Sequence, residues 1–400
     1  MDKATTFEQA LLSLLQEGRP VNEVETIATI TATGRVLAKP QVSPINVPSW
    51  KTSAMDGYAV SCKDIAENKT RLHVAQRIAA GQLGQPLERE TAARIFTGAP
   101  VPDGADAVVM QELCEQQDEF VVIKHQAKTG EWVRPIGEDI KKGAQILPKG
   151  ARLRPQDISI IASAGIANVP VYRKLKVAAF FAGNELVMPG DTLPPGAIYN
   201  SNRFTVNGLL QNLGCEVEDF GIVPDTLIAT RNALRQAAKG HDLILTSAGV
   251  SVGEEDHVKP AVEAEGILKI WKVIVKPGRP TAFGKIGSTY FLGLPGNPVS
   301  NLVAFMLFVR PFILRCQGVQ NVNPKTYLAR ADFDLPNPDE RHEFLRVKFN
   351  GKGGLDLFPN QSSSILTSTV WADGLLDNPS GKKITRGDMV KFIPFTELLN

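Results

Sequence analysis

Four hundred residues exceed one compact core at ~100 to 200 residues per domain, so two to four domains are expected. Hydrophobic residues at 43% and charged residues at 22%, with 44 basic against 42 acidic side chains, exclude a disordered or fibrous chain and give no sign of a nucleic-acid or membrane partner. The cysteines Cys62, Cys114, Cys215 and Cys316 are scattered singly, which speaks against a zinc site or disulfide framework and for a reducing cytoplasm.

Asp2, Glu8 and Gln9 interrupt the start, where an export signal needs an unbroken apolar stretch. Phe7, Leu11, Leu12, Leu14 and Leu15 then follow a helical period that Pro20 closes. From Val42 the texture changes to short β-branched stretches among Gly and Pro, with Val108 to Met110 and Phe120 to Ile123 as strands. Residues 44–141 read as a β-rich domain. A helix from Pro155 to Ala164, ended by Gly165, is expected to pack with the first helix. Residues 1–43 and 142–173 thus form a small helical and extended domain.

Residues 174–322 alternate strands with helices. The strands are Lys176 to Phe181, Glu216 to Val223, Asp242 to Thr246, Leu268 to Val275 and Thr289 to Leu292. The helices are Asn202 to Leu213, Asp225 to Ala238, His257 to Glu265 and Pro298 to Arg315. That order predicts a doubly wound, mostly parallel α/β domain with its loops along one sheet edge, where ligands bind. The longest apolar run, Leu302 to Val309, falls short of the roughly 20 residues that span a bilayer. Residues 323–400, with Phe344 to Phe349 and Met389 to Ile393 as strands, read as a small C-terminal β domain. The fold class is therefore multidomain α/β plus β.

Three loops should converge at the α/β edge: Ala182-Gly183-Asn184-Glu185-Leu186, Thr246 to Asp256, and Gly293-Leu294-Pro295-Gly296-Asn297-Pro298-Val299-Ser300. Small residues there let backbone N–H groups approach an oxyanion, so a phosphate-like ligand is the natural candidate. Lys272 and Lys276, four apart on or just past the fourth strand, would leave by the same face of an extended chain as a cationic pair serving the ligand more than the fold, with Arg279 nearby. Glu185, Asp225 and Asp256 fall at strand ends beside these cations, an arrangement that suits a phosphate held through Mg²⁺. Each acid can equally be a helix N-cap, Asp225 above all. In the β-rich domain, Thr52 to Val60, Phe96 to Pro102 and Arg134 to Ile140 carry hydroxyls, glycine and acids with little apolar bulk and read as surface turns.

Taken together, Ser53-Ala54-Met55-Asp56-Gly57-Tyr58-Ala59, Thr97-Gly98-Ala99-Pro100, Gly137-Glu138-Asp139-Ile140, Lys276-Pro277-Gly278-Arg279-Pro280 and Gly293-Leu294-Pro295-Gly296-Asn297-Pro298 resemble, in order, the molybdopterin molybdenumtransferases, the MoeA and gephyrin E-domain family. The resemblance implies a molybdopterin-binding α/β domain, a C-terminal domain of small β-barrel type, and a homodimer whose cleft lies between the α/β domain of one subunit and the β-rich domain of the other. It implies adenylylated molybdopterin and molybdate as substrates, Mg²⁺ as cofactor, and the molybdopterin adenylyltransferase as a protein partner. Carried over by position, Asp56, Thr97, Asp139, Glu185, Asp225 and Asp256 are implied catalytic residues, with the last three as metal ligands. Ser247, Gly249, Ser251, Lys272, Lys276, Arg279, Pro295, Pro298 and Ser363 are implied substrate contacts.

Three positions depart from the family pattern. Asn184 stands where an aspartate is usual, and Ala248 and Ser362 stand where glycine is usual. Asn184 is expected to weaken a Mg²⁺ site, and the two added side chains to narrow places where backbone approaches a ligand. Two other readings stay open: a weakened paralogue that binds molybdopterin or molybdate or scaffolds a partner, and a molybdopterin adenylyltransferase.

Overall fold

The computed structural model of the chain describes residues 5–66, 69–247, 257–270, 273–278 and 282–399. Strand Lys176–Ala182 shows why the central sheet is doubly wound: Val177, Ala179 and Phe181 enter one apolar layer, Ala178, Phe180 and Ala182 the other. Side chains alternate across a strand, so one that is apolar on both faces must be covered on both. Helices Ser201–Asn212 and Pro298–Cys316 cover the first face, and Leu227–Ala237 and Val258–Glu265 the second. The sheet order is Glu216–Val223, Lys176–Ala182, Leu243–Ser247, Thr289–Leu294, Ala282–Ile286, Ile267–Ile270. Neighbours among the first four are parallel, and the remaining pairings are antiparallel.

One expected strand proves to be two. Ile267–Ile270 borders the α/β sheet, whereas Val275–Lys276 pairs in parallel with His342 and Glu343 of the C-terminal domain. Val273 and Val275 are apolar because they enter a core beside Phe344, not because they prolong the sheet. Asp225 is also not the helix cap. Thr226 Oγ1 accepts from the Ala229 N–H at 3.2 Å, and the helix starts at Leu227.

The Pro298–Cys316 helix is long and apolar enough to cross a membrane by length and composition, but 89% of its most apolar window is buried, which makes it a core helix. It widens into a π-turn over Phe305–Val309, just before Pro311, whose missing N–H cannot complete the α-helical ladder.

Helix Phe7–Glu17 begins at a Thr6 capping box and buries Ala10 and Leu14 beside Phe308 and Phe312, on the α/β domain. It packs there rather than against helix Pro155–Ser163, the partner expected from the sequence. The latter sends Ile161 into a separate cluster with Leu37, Leu153 and Val169. The apolar stripe of the first helix is matched by the long core helix, and Tyr290 of strand Thr289–Leu294 ties it to the sheet by donating to the Glu17 carbonyl at 2.8 Å.

In the β-rich region a six-stranded mixed sheet runs Ala107–Met110, Gly57–Val60, Thr91–Ile95, Thr70–Ile78, Phe120–Ile123, Cys114–Gln117. Its two apolar clusters draw only on residues between Tyr58 and Val133. The chain on either side of this sheet pairs with itself, Val24–Ala28 with Asn168–Tyr172 and Gln41–Val42 with Gln145–Leu147. The β-rich sheet is therefore an insertion with its own core. At the C-terminus, Tyr327–Ala331, His342–Phe349, Gly354–Leu357, Gly374–Asn378 and Met389–Pro394 close into a small barrel, since His342–Phe349 pairs with both Gly354–Leu357 and Gly374–Asn378. Phe344, Leu375 and Ile393 of this barrel join the α/β core.

Candidate active site

The sequence motifs gather in three places. In the β-rich insertion, Ser53 donates its N–H to the Ala99 carbonyl at 2.9 Å and accepts from Gly98 N–H at 2.8 Å, and Thr52–Ser53 pairs with Val133–Arg134. These bonds zip the first two motifs side by side. Gly57 is required here, because a Cβ would sit 1.9 Å from the Val109 carbonyl oxygen. Asp56 Oδ1 accepts both the backbone N–H and the hydroxyl of Thr97, each at 2.8 Å. The backbone bond, reinforced by the hydroxyl, holds the exposed Asp56 carboxyl below its ordinary range. Asp56 is thus a fixed anion and a poor proton acceptor near neutral pH. Asp139 is exposed in the adjoining turn, its N–H bonded to the Val47 carbonyl at 3.0 Å.

The second place is the carboxyl edge of the α/β sheet. Asn184 Oδ1 accepts from the Asp225 N–H at 3.2 Å, joining two neighbouring strand ends. That oxygen is thereby engaged in the turn that links the two strand ends. Glu185 is exposed, and its carboxylate lies against Gly183, where a Cβ would meet it at 2.6 Å. Ser247 is buried, and its Oγ accepts from the amides of Asn202 and Asn301, each at 2.9 Å. The same two amides reach the Gly296 and Pro295 carbonyls at 2.7 and 3.1 Å. Pro295 and Ser247 are therefore brought together by a pair of asparagines that sequence reasoning did not single out as site residues. A lone Asn inside a helical pattern carries no motif signal.

The third place is formed by the C-terminal barrel. The Ser363 carbonyl accepts from the Val299 N–H at 3.0 Å, which seats the 361–364 loop on the helix that Pro298 opens. Beneath it lies Arg346, fully buried, donating Nε to Ser368 Oγ at 3.2 Å and Nη2 to the Ser362 carbonyl at 3.1 Å. No carboxylate pairs with Arg346 among the described residues. Burial pulls its pKa down to about 10, so it stays charged at neutral pH. A buried, unpaired guanidinium is costly unless an anion comes to it. Arg346 was invisible in the sequence because it falls inside an ordinary alternating strand. Ser362 accommodates its added side chain by facing Ser364, with the two hydroxyl oxygens 3.1 Å apart.

Lys276 does not stand as an unpaired cation. Its Nζ lies 3.1 Å from Glu343 and 3.4 Å from Asp339, so it serves the fold as well as any ligand. Ala248, Gly249, Ser251, Asp256, Lys272 and Arg279 lie outside the described residues. Among the described residues no group of three or more His, Cys, Asp or Glu side chains could hold a metal ion. No described hydrogen bond joins the Asp56 region to the other two places within one chain.

Residues 5–165 match the model for the MoeA N-terminal region, residues 179–315 that for a probable molybdopterin binding domain, and residues 328–395 that for the MoeA C-terminal region. A molybdopterin molybdenumtransferase of Haemophilus influenzae is 38% identical, with 98% of this chain and 99% of that protein covered. The chain belongs to the molybdopterin molybdenumtransferase family. The Bacillus subtilis molybdopterin molybdenumtransferase is 35% identical over 91% of this chain and 87% of its own. Among solved structures, a molybdopterin biosynthesis MoeA protein from Pyrococcus horikoshii superposes with a TM-score of 0.80 at 31% identity, covering 98% of this chain and 99% of its own. The family accounts for the insertion of a β-rich domain between pairing flanks and for the barrel docked on the α/β core.

Proposed function

We propose that the protein is a molybdopterin molybdenumtransferase that inserts molybdenum from molybdate into adenylylated molybdopterin and releases AMP. The observation that carries this reading is Arg346, a buried guanidinium with no carboxylate partner among the described residues, directly under the Ser362–Ser363 loop and beside the Pro298 helix start. Both substrates are anionic, and this corner offers charge that the fold itself leaves unbalanced.

The division of labour follows from the groups. Arg346 supplies positive charge, and Lys276 a placed N–H donor, where the phosphoanhydride breaks and negative charge grows on the departing phosphate, an effect that preorganised groups provide without reorganisation. Asp56, held ionised by Thr97, orients a water or a substrate hydrogen rather than taking a proton. Ser247, Asn202 and Asn301 keep the Pro295–Pro298 turn rigid, so that the substrate meets one fixed surface. Mg²⁺ uses one or two carboxylates and completes its shell with substrate phosphates and water, which suits Glu185 and Asp225 at neighbouring strand ends. Bound there, it would neutralise pyrophosphate charge.

We further propose a cytoplasmic homodimer that receives its substrate from the molybdopterin adenylyltransferase. Asp56, Thr97 and Asp139 of one subunit would face the α/β edge of the other, which is consistent with the lack of described bonds between these regions within one chain. The test is to incubate the purified protein with adenylylated molybdopterin, Mg²⁺ and molybdate. AMP release together with activation of an apo-molybdoenzyme is the expected result. Binding without AMP release would leave a molybdopterin-binding paralogue instead.

A further inference from the structure

Lys276 belongs to the α/β domain by sequence, yet the acids that fix its ammonium come from the C-terminal barrel. Nζ stands 3.1 Å from Glu343 Oε1 and 3.4 Å from Asp339 Oδ2. Glu343 is only 2% exposed, and its other oxygen accepts from the Asp339 N–H at 3.2 Å and from the Asn378 amide at 3.3 Å. Backbone pairing fixes the register too, since Lys276 lies directly opposite Glu343. Asp339 is held in turn by Arg341, through its backbone N–H, Nε and Nη2.

A buried carboxylate with both oxygens bonded has a single orientation, so it presents the ammonium at one point. An ammonium has three donors. Glu343 and Asp339 take two, and with 32% of the Lys276 side chain exposed the remaining donor can meet a ligand. The cluster holds two cations, Lys276 and Arg341, and two anions, Asp339 and Glu343. It is neutral as a unit, so what it offers a substrate is a placed donor more than a field of free charge.

We infer that Glu343 is a positioning residue for Lys276: a buried carboxylate of the C-terminal barrel sets where the ammonium meets the anionic substrate. The inference rests on the reading of Lys276 as a substrate contact. A residue that acts only through Lys276 must lose its influence when Lys276 is gone.

The test is a double-mutant cycle on Glu343→Gln and Lys276→Gln, read as Kd for adenylylated molybdopterin by pterin fluorescence and as kcat/KM for AMP release. Glu343→Gln is expected to weaken both about tenfold in the parent, and by about twofold or less in the Lys276→Gln background. Glu343→Asp, which keeps the charge with a shorter reach, should fall between parent and Glu343→Gln. Equal losses in both backgrounds, or no loss in the parent, overturn the inference. A purely structural role would lower the melting temperature without this coupling. A parent that binds substrate but releases no AMP defeats the functional reading alone, because the affinity cycle still decides the inference. A parent that does not bind the substrate overturns both.

Discussion

The inserted β-rich domain and the α/β domain with its docked barrel solve the same problem in opposite ways. The insertion keeps its apolar clusters to itself, between Tyr58 and Val133, and shows its motif residues on exposed turns. The α/β domain shares one core with the first helix and the barrel, from Leu14 through Phe312 to Phe344 and Ile393. Its candidate site residues therefore carry structural bonds: Ser247 ties a turn, Lys276 joins two domains, and Ser363 seats a loop. A substitution in the insertion can change chemistry while leaving the rest of the fold alone, whereas one in the fused unit seldom can.

The largest expected effect comes from cutting the shared core. Phe312 is fully buried against Phe283 and Tyr290, and Phe312→Ala should cost about 3–5 kcal/mol, the range for large aromatic truncations. In calorimetry the α/β and barrel transition should fall as one unit while the insertion's transition stays. If both shift equally, the insertion is not independent.

Next is Lys276→Gln, which leaves the buried Glu343 carboxylate facing a neutral group. It should cost about 1–3 kcal/mol of stability, the penalty for an unsatisfied buried partner, as well as weakening substrate binding. This differs from the sequence reading, in which the lysine pair served the ligand and added little to folding. An unchanged denaturation midpoint would restore that simpler view.

In the insertion, Thr97→Val removes one of the two bonds to Asp56 and should raise the Asp56 pKa toward its ordinary value with no change in the fused unit. The sign follows from linkage: a carboxyl depressed in the folded state contributes stability above its unfolded pKa, and loses it as pH falls through the lower folded value. A side-chain carboxyl NMR titration reads this directly. An Asp56 titration identical in both proteins would remove the hydroxyl from the account. The smallest effect is expected from Asn184→Asp. A carboxylate can accept the same Asp225 N–H, so the Mg²⁺ dependence of AMP release should scarcely move. A marked fall in the Mg²⁺ requirement would put position 184 at the metal after all.

Much of the architecture was legible because strand and helix periods survive in the sequence, as in Lys176–Ala182 and Ser201–Asn212. The split of the 267–276 segment between two sheets was not, since apolar residues look alike whichever core they enter. The same ambiguity hid the docking of the first helix on the long core helix. The motif loops announced Asp56, Thr97, Asn184 and Ser247 through their small residues and turn chemistry. Arg346, Asn202, Asn301 and Glu343 act through burial and partners far away in sequence, which no local pattern records.

The central claim is that the exposed acid of the insertion and the carboxyl edge of the α/β sheet serve one cleft built from two subunits. Mixing Asp56→Asn and Asp225→Asn subunits tests this, because each heterodimer would then hold one cleft with both acids intact. Recovery of AMP release in the mixture, from two inactive parents, is the result this account requires. No recovery after subunit exchange has been verified by mass spectrometry would contradict it and return both acids to a single chain's site.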